Sequence, residues 1–109
     1  MKIERESHDG AAVFLVQGQV DMHTSGELRG QLKSALMEKA NPVVVDLTEV
    51  AFIDSSGLAT LIEALQATAK YGGRLRLCGL RPEVRNLFEL SKLTSIFDLR
   101  DTRQDALDS

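Results

Sequence analysis

Two adjacent hydroxyls and a carboxylate, within the run Phe52-Ile53-Asp54-Ser55-Ser56-Gly57-Leu58, are the residues of this chain best placed for chemistry. The run passes from an apolar β segment into a helical stripe. Ser55 and Ser56 are therefore expected at a helix N-terminus, where free backbone N–H groups and the positive end of the helix dipole favour negative charge. A hydroxyl there can carry a phosphate that its own domain tolerates. Gly57 leaves the first turn without a Cβ, which is expected to let a partner or a phosphate approach the backbone. The plainer alternative is that the serines only cap the helix, since serine is a preferred N-cap.

Asp21 and Thr24 form a second patch, in which Asp21 can order a turn and Thr24 can cap a helix while both face a partner. His23 is a candidate for sensing pH or touching phosphate, set against the bland reading of a solvated side chain. Asp46, in the β-branched run Val43-Val44-Val45-Asp46-Leu47, is either a site carboxylate or a turn-ordering one. Asp21 and Asp46 are both expected at the sheet edge that carries Asp54. Cys78 reads as a small core residue rather than a reactive thiol, because no flanking basic residues signal a lowered pKa. Arg74, Arg76, Arg81 and Arg85 border a strand and a helix and read as a solvated face.

Catalysis finds little support. The chain has no Gly-x-x-x-x-Gly-Lys phosphate loop, no Gly-x-Gly-x-x-Gly fingerprint and no Gly-x-Ser-x-Gly elbow around Ser55. A catalytic triad would need His8 or His23 as its base, and His8 falls in an expected hairpin turn. The expectation is a protein that is not an enzyme.

A length of 109 residues suits one domain, 1–109. Thirteen Lys and Arg against sixteen Asp and Glu give a net charge of −3, which argues against nucleic acid and anionic membranes as partners. With one cysteine and two histidines, neither an intrachain disulfide nor a metal centre is expected. The start Met1-Lys2-Ile3-Glu4-Arg5-Glu6 lacks an apolar signal core, and no segment is apolar over the roughly 18 residues a bilayer crossing takes, so a cytoplasmic protein without membrane insertion is expected.

Several elements must position these groups. Ala12-Val13-Phe14-Leu15-Val16 reads as a strand, paired in a hairpin across His8-Asp9-Gly10 with an edge strand around Ile3. Leu28, Leu32, Ala35 and Leu36 recur at helical spacing, predicting a helix from about Ser25 to Lys39, with Thr24-Ser25-Gly26-Glu27 as a capping box. The run from Val43 predicts a central strand buried on both faces. Leu58, Leu61, Ile62, Leu65 and Ala69 mark a second helix that ends at Gly72-Gly73. Arg74-Leu75-Arg76-Leu77-Cys78 alternates as a strand, Pro82 opens a third helix carrying Val84, Leu87 and Phe88, and Ile96-Phe97-Asp98-Leu99 is a short last strand. Thr102 caps a short terminal helix. Alternating strands and helices imply an α/β domain: a small mixed sheet of about five strands with a parallel core, packed against about four helices.

Asp54-Ser55-Ser56-Gly57-Leu58, Gly18-Gln19-Val20-Asp21, Val45-Asp46-Leu47, Gly72-Gly73, Val84-Arg85-Asn86-Leu87-Phe88 and Ser91-Lys92-Leu93 occur in that family's order along a chain that resembles the STAS-domain family. Within it, the bacterial anti-sigma factor antagonists are the nearest pattern, with Asp-Ser-x-Gly-Leu as their signature and Gln19 standing where glutamate is usual. The resemblance implies the STAS fold and a partner switch. The serine after the aspartate, Ser55 here with Ser56 as second choice, would be phosphorylated by a partner that is both anti-sigma factor and serine-protein kinase. The unphosphorylated chain would bind that partner, the phosphorylated chain would release it, and a metal-dependent serine phosphatase would reset the switch. Asp21, His23, Thr24, Asp54, Ser55, Ser56, Gly57 and Leu58 would form the partner surface of a monomer that needs no cofactor of its own. The alternatives are a STAS subunit of a membrane transport system of the ABC lipid type, or a sensor module that is not phosphorylated.

Overall fold

The computed structural model describes residues 1–108. Two strands open the chain, β1 (Lys2–His8) and β2 (Ala11–Gln17), joined by a tight turn in which Asp9 and Gly10 both take positive φ, the geometry that matches the twist of a hairpin. Then come α1 (Ser25–Met37), β3 (Val43–Glu49), α2 (Ser55–Lys70), β4 (Leu75–Cys78), α3 (Pro82–Leu90), β5 (Asp98–Arg100) and α4 (Arg103–Leu107). The sheet order is β1-β2-β3-β4-β5, antiparallel only between β1 and β2 and parallel elsewhere. This is the mixed five-strand sheet with four helices that the alternating pattern predicts.

Strand periodicity divides the core. Phe14 and Val16 of β2, Val43, Val45 and Leu47 of β3, and Leu75 and Leu77 of β4 face the helices, where Leu28, Leu32, Leu61, Ala64, Val84 and Phe88 cover them. Phe88 meets Phe97 edge to face, ring centroids 5.5 Å apart. The alternate residues Val13, Val44 and Cys78 lie on the other face beneath Ala106 of α4. Val44 is thereby buried although only a five-residue helix covers it. The left-handed conformation expected where the second helix ends is present at Gly72, with φ +76°.

Two expectations change on this second face, and one at the last strand. Arg76 does not reach solvent: it is 6% exposed, its Nε donates to Asp98 at 3.2 Å and its Nη1 donates to the Ala106 carbonyl at 2.9 Å. The charge is pulled inward because a carboxylate and a helix C-terminal carbonyl await it, so Arg74, Arg76, Arg81 and Arg85 do not form one solvated strip. Asp46 is not an open site carboxylate and takes the turn-ordering role instead. It is buried, accepts from the Thr48 N–H at 3.0 Å and pairs with Arg103 of α4 at 3.1 Å. The last strand also begins later than Ile96, because the N–H groups of Ile96 and Phe97 both donate back to the Leu93 carbonyl in a turn.

Cys78 is the buried core residue expected, and burial, reinforced by the charge of Asp46 and partly opposed by Arg103, pushes its thiol up to about 12. Since the folded value exceeds the unfolded value of about 8.5, the thiol's contribution to stability is complete below that pH and is lost as pH rises toward the folded value. Iodoacetamide at pH 8 is therefore expected to label Cys78 only in denaturant, read by intact mass. Native labelling at the denatured rate would contradict a packed thiol.

Candidate functional site

Parallel pairing of β2 with β3 sends both strands out at the same sheet edge, and the two connections that follow are zipped together. Val20 and Ile53 form an isolated parallel bridge, in which the Val20 N–H donates to Phe52 at 3.0 Å and the Asp54 N–H donates to the Val20 carbonyl at 3.0 Å. The two patches read from the sequence, Asp21 to Thr24 and Asp54 to Leu58, thus become one surface. Asp46 does not join them.

Asp54 is the N-cap of α2 and adopts extended backbone, the geometry that lets its side chain turn onto the first helical turn. Its Oδ1 accepts from the N–H groups of Ser56 (2.9 Å) and Gly57 (3.0 Å) and from the Ser56 hydroxyl (2.6 Å). Its Oδ2 accepts from the Met22 N–H at 3.0 Å. Chiefly through the Ser56 hydroxyl, then the Gly57 N–H, the carboxyl is held below the ordinary aspartate value of 3.8 despite some desolvation. The folded value is the lower one, so the cap's stabilisation is complete above about pH 4 and disappears as pH falls through the depressed value.

These bonds separate the two serines. Ser56 is half-buried and its hydroxyl proton is committed to Asp54. Ser55, the first residue of α2, is exposed, and among the described residues its hydroxyl has no hydrogen-bond partner. Ser55 is therefore the hydroxyl free to act as a nucleophile toward a donor supplied from outside, at a helix end that favours the resulting negative charge.

The capping box is not formed. Thr24 lies at the N-cap of α1 with helical backbone, and its hydroxyl donates to the Gln19 carbonyl (2.8 Å) and accepts from the Asp21 N–H (2.9 Å). The entry to α1 is organised instead by Asp21, whose carboxylate accepts from the N–H groups of His23 (2.9 Å) and Thr24 (3.2 Å). Glu27 stays in solvent. The reason is that an aspartate three residues before the cap already supplies acceptors for the free N–H groups, and the threonine is drawn back into that turn.

Gly57 also differs from expectation. Rather than opening the helix end to a visitor, the space a Cβ would occupy is filled by this chain: a built Cβ would sit 2.8 Å from Val20 Cγ1, Ile53 Cγ2 and the Val20 carbonyl. Leu58 is half-buried against the core. His23 is exposed beside Asp21. Two apolar side chains at this edge were not picked out from the sequence, Met22 at 74% exposure and Phe52 at 49%. For Met22 the signal was an apolar residue inside a polar turn, Asp21-Met22-His23, whereas Phe52 lies within an apolar run. Phe52 also lines, with Val84, Leu87 and Leu90, a shallow groove between the β3–α2 connection and α3.

Residues 2–106 match the model of the STAS domain. The chain is 31% identical to the anti-sigma F factor antagonist of Paenibacillus polymyxa over 98% of its length and 92% of that protein. A solved anti-sigma factor antagonist from Mycobacterium paratuberculosis superposes with a TM-score of 0.88 at 30% identity, covering 97% of this chain and 90% of that one. The fold is also that of the Bacillus cell fate determinant SpoIIAA in its phosphorylated form, at TM-score 0.76 and 22% identity over 98% of this chain and 97% of that one. A mixed five-strand sheet, an Asp-capped Ser-Ser-Gly helix start and this full-length likeness to anti-sigma factor antagonists together assign the chain to the STAS-domain family.

Proposed function

We propose that this chain is an anti-sigma factor antagonist that changes partners through phosphorylation of Ser55. The observation that carries the choice of residue is the hydroxyl of Ser55, exposed at the first position of α2 while that of Ser56 is tied to Asp54. In its unphosphorylated state the chain binds an anti-sigma factor that is also a serine-protein kinase, through the surface of Asp21, His23, Thr24 and Asp54 to Leu58. The kinase supplies Mg-ATP and the catalytic groups. The Ser55 oxygen attacks the γ-phosphorus, the bond to the β-phosphate breaks, ADP leaves and the serine proton passes to a base of the kinase. The new dianion sits beside the charged Asp54 and repels the surface it had occupied, and a metal-dependent serine phosphatase hydrolyses the phosphoserine to restore binding. The chain acts in the cytoplasm as a monomer, the simplest state for a domain that exchanges partners.

The deciding experiment mixes the purified chain with its cognate kinase and ATP and maps phosphate by mass spectrometry. One phosphate on Ser55 is expected, and none in Ser55→Ala. Phosphate that persists in Ser55→Ala, or none in the wild-type chain, would remove this assignment.

A further inference from the structure

We infer that Asp54 is a positioning residue that locks the β2–α1 connection to the start of α2, so that the two halves of the partner surface are presented as one rigid unit. The inference rests on the reading that this edge is the partner surface, and it adds to the helix-capping role a second task for the same carboxylate. The two oxygens divide the work. Oδ1 takes three donors, all from the first turn of α2, whereas Oδ2 takes one, the Met22 N–H from the other connection.

Backbone pairing between the two segments ends before that connection. The bridge between the two segments stops at Val20, whose carbonyl accepts from the Asp54 N–H. Beyond it, Asp21 closes its turn on itself through His23 and Thr24, and Thr24 reaches back to Gln19. Among the described residues, the bond from Met22 N–H to Asp54 Oδ2 is the one hydrogen bond that ties residues 21–24 to residues 52–58. Met22 itself is largely solvated and provides no packing anchor. An N–H to carboxylate bond is charge-assisted and stronger than a neutral one, so this single link suffices to set where Asp21, Met22 and His23 stand relative to Ser55.

Substitution by asparagine separates the two tasks. Asparagine caps helices as well as aspartate does, and its one carbonyl oxygen is drawn to the three α2 donors. Its NH2 group then faces the Met22 N–H, donor against donor. In Asp54→Asn, far-UV circular dichroism and Tm are expected to stay close to wild type, while exchange of the Met22 amide in NMR accelerates about tenfold. With the cognate kinase, KM for the chain is expected to rise about tenfold with kcat unchanged, as a loosened surface requires. Ser56→Ala, which removes one Oδ1 donor and spares the Oδ2 bond, is expected to leave the Met22 amide as it was.

Met22 exchange unchanged in Asp54→Asn would overturn the lock, and a raised KM with that amide unmoved would assign Asp54 to direct contact with the partner instead. Absence of phosphoryl transfer to the wild-type chain would count against the partner reading, and the Met22 amide would still decide whether the lock exists.

Discussion

Ser55→Asp is expected to bind the anti-sigma factor about 100-fold more weakly than the wild-type chain, whereas Ser55→Ala binds it undiminished and can no longer be released by ATP. The magnitude follows from one added charge. At an effective dielectric near 20, an acidic group of the partner about 5 Å away repels a unit charge by roughly 3 kcal/mol, or about two decades in affinity. Phosphate carries about −1.5 to −2 charges and lowers affinity further. The host pays little for the new charge, because position 55 opens a 16-residue helix whose N-terminal dipole favours an anion. Disruption is thereby directed at the complex and spares the fold. Calorimetric titration of the three proteins with the anti-sigma factor measures this, with Tm as the control for folding. Equal affinity for the aspartate variant and the wild-type chain would sink the electrostatic switch.

Gly57→Ala should carry the largest cost to stability among single-atom changes at this edge. In an open helical position the added methyl is favourable, by about 0.5–1 kcal/mol. Gly30 of α1, with nothing within 4 Å of its absent Cβ, is such a position and serves as the internal control. At Gly57 the sign reverses, because the methyl would lie 2.8 Å from the Val20 carbonyl as well as from two side chains, and a backbone atom cannot step aside alone. Either the Val20–Ile53 bridge opens or the start of α2 shifts. Overpacking of this kind costs about 1–3 kcal/mol. For a domain of this size that corresponds to a Tm lowered by about 10 °C. Anti-sigma factor binding is expected to fall with it, since the displaced bridge is the backbone pairing from which both halves of the surface emerge. A thermal melt in which Gly57→Ala matches Gly30→Ala would show that the contact is not tight.

Much of the architecture could be read along the chain because the signals were local. The apolar stripe from Leu58 to Ala69, the β-branched run at Val43, Pro82 at the head of α3 and Thr102 before α4 each report on neighbours one or two turns away. The Asp-Ser-Ser-Gly helix start was legible for the same reason, since capping is decided within four residues. The elements that shifted were those whose partners lie far away in sequence. Asp46 meets Arg103 across 57 positions, and Arg76 meets Ala106 across 30. Nothing near either residue announces such a partner.

Residue types and spacing by themselves determined the α/β order and the place of Ser55 at a helix end, because propensity, periodicity and capping act over short range, while the ordered motifs carried the resemblance to anti-sigma factor antagonists. The tertiary structure alone decided which serine hydroxyl is free, where the absent Cβ of Gly57 points, and that Asp54 holds Met22 while Asp46 does not share the site. Those outcomes depend on the parallel register of β2 and β3, which brings residues 20–24 against residues 52–57. Hydrogen bonds and steric contact act only over a few ångströms, so the site comes into being where that register sets two distant loops side by side.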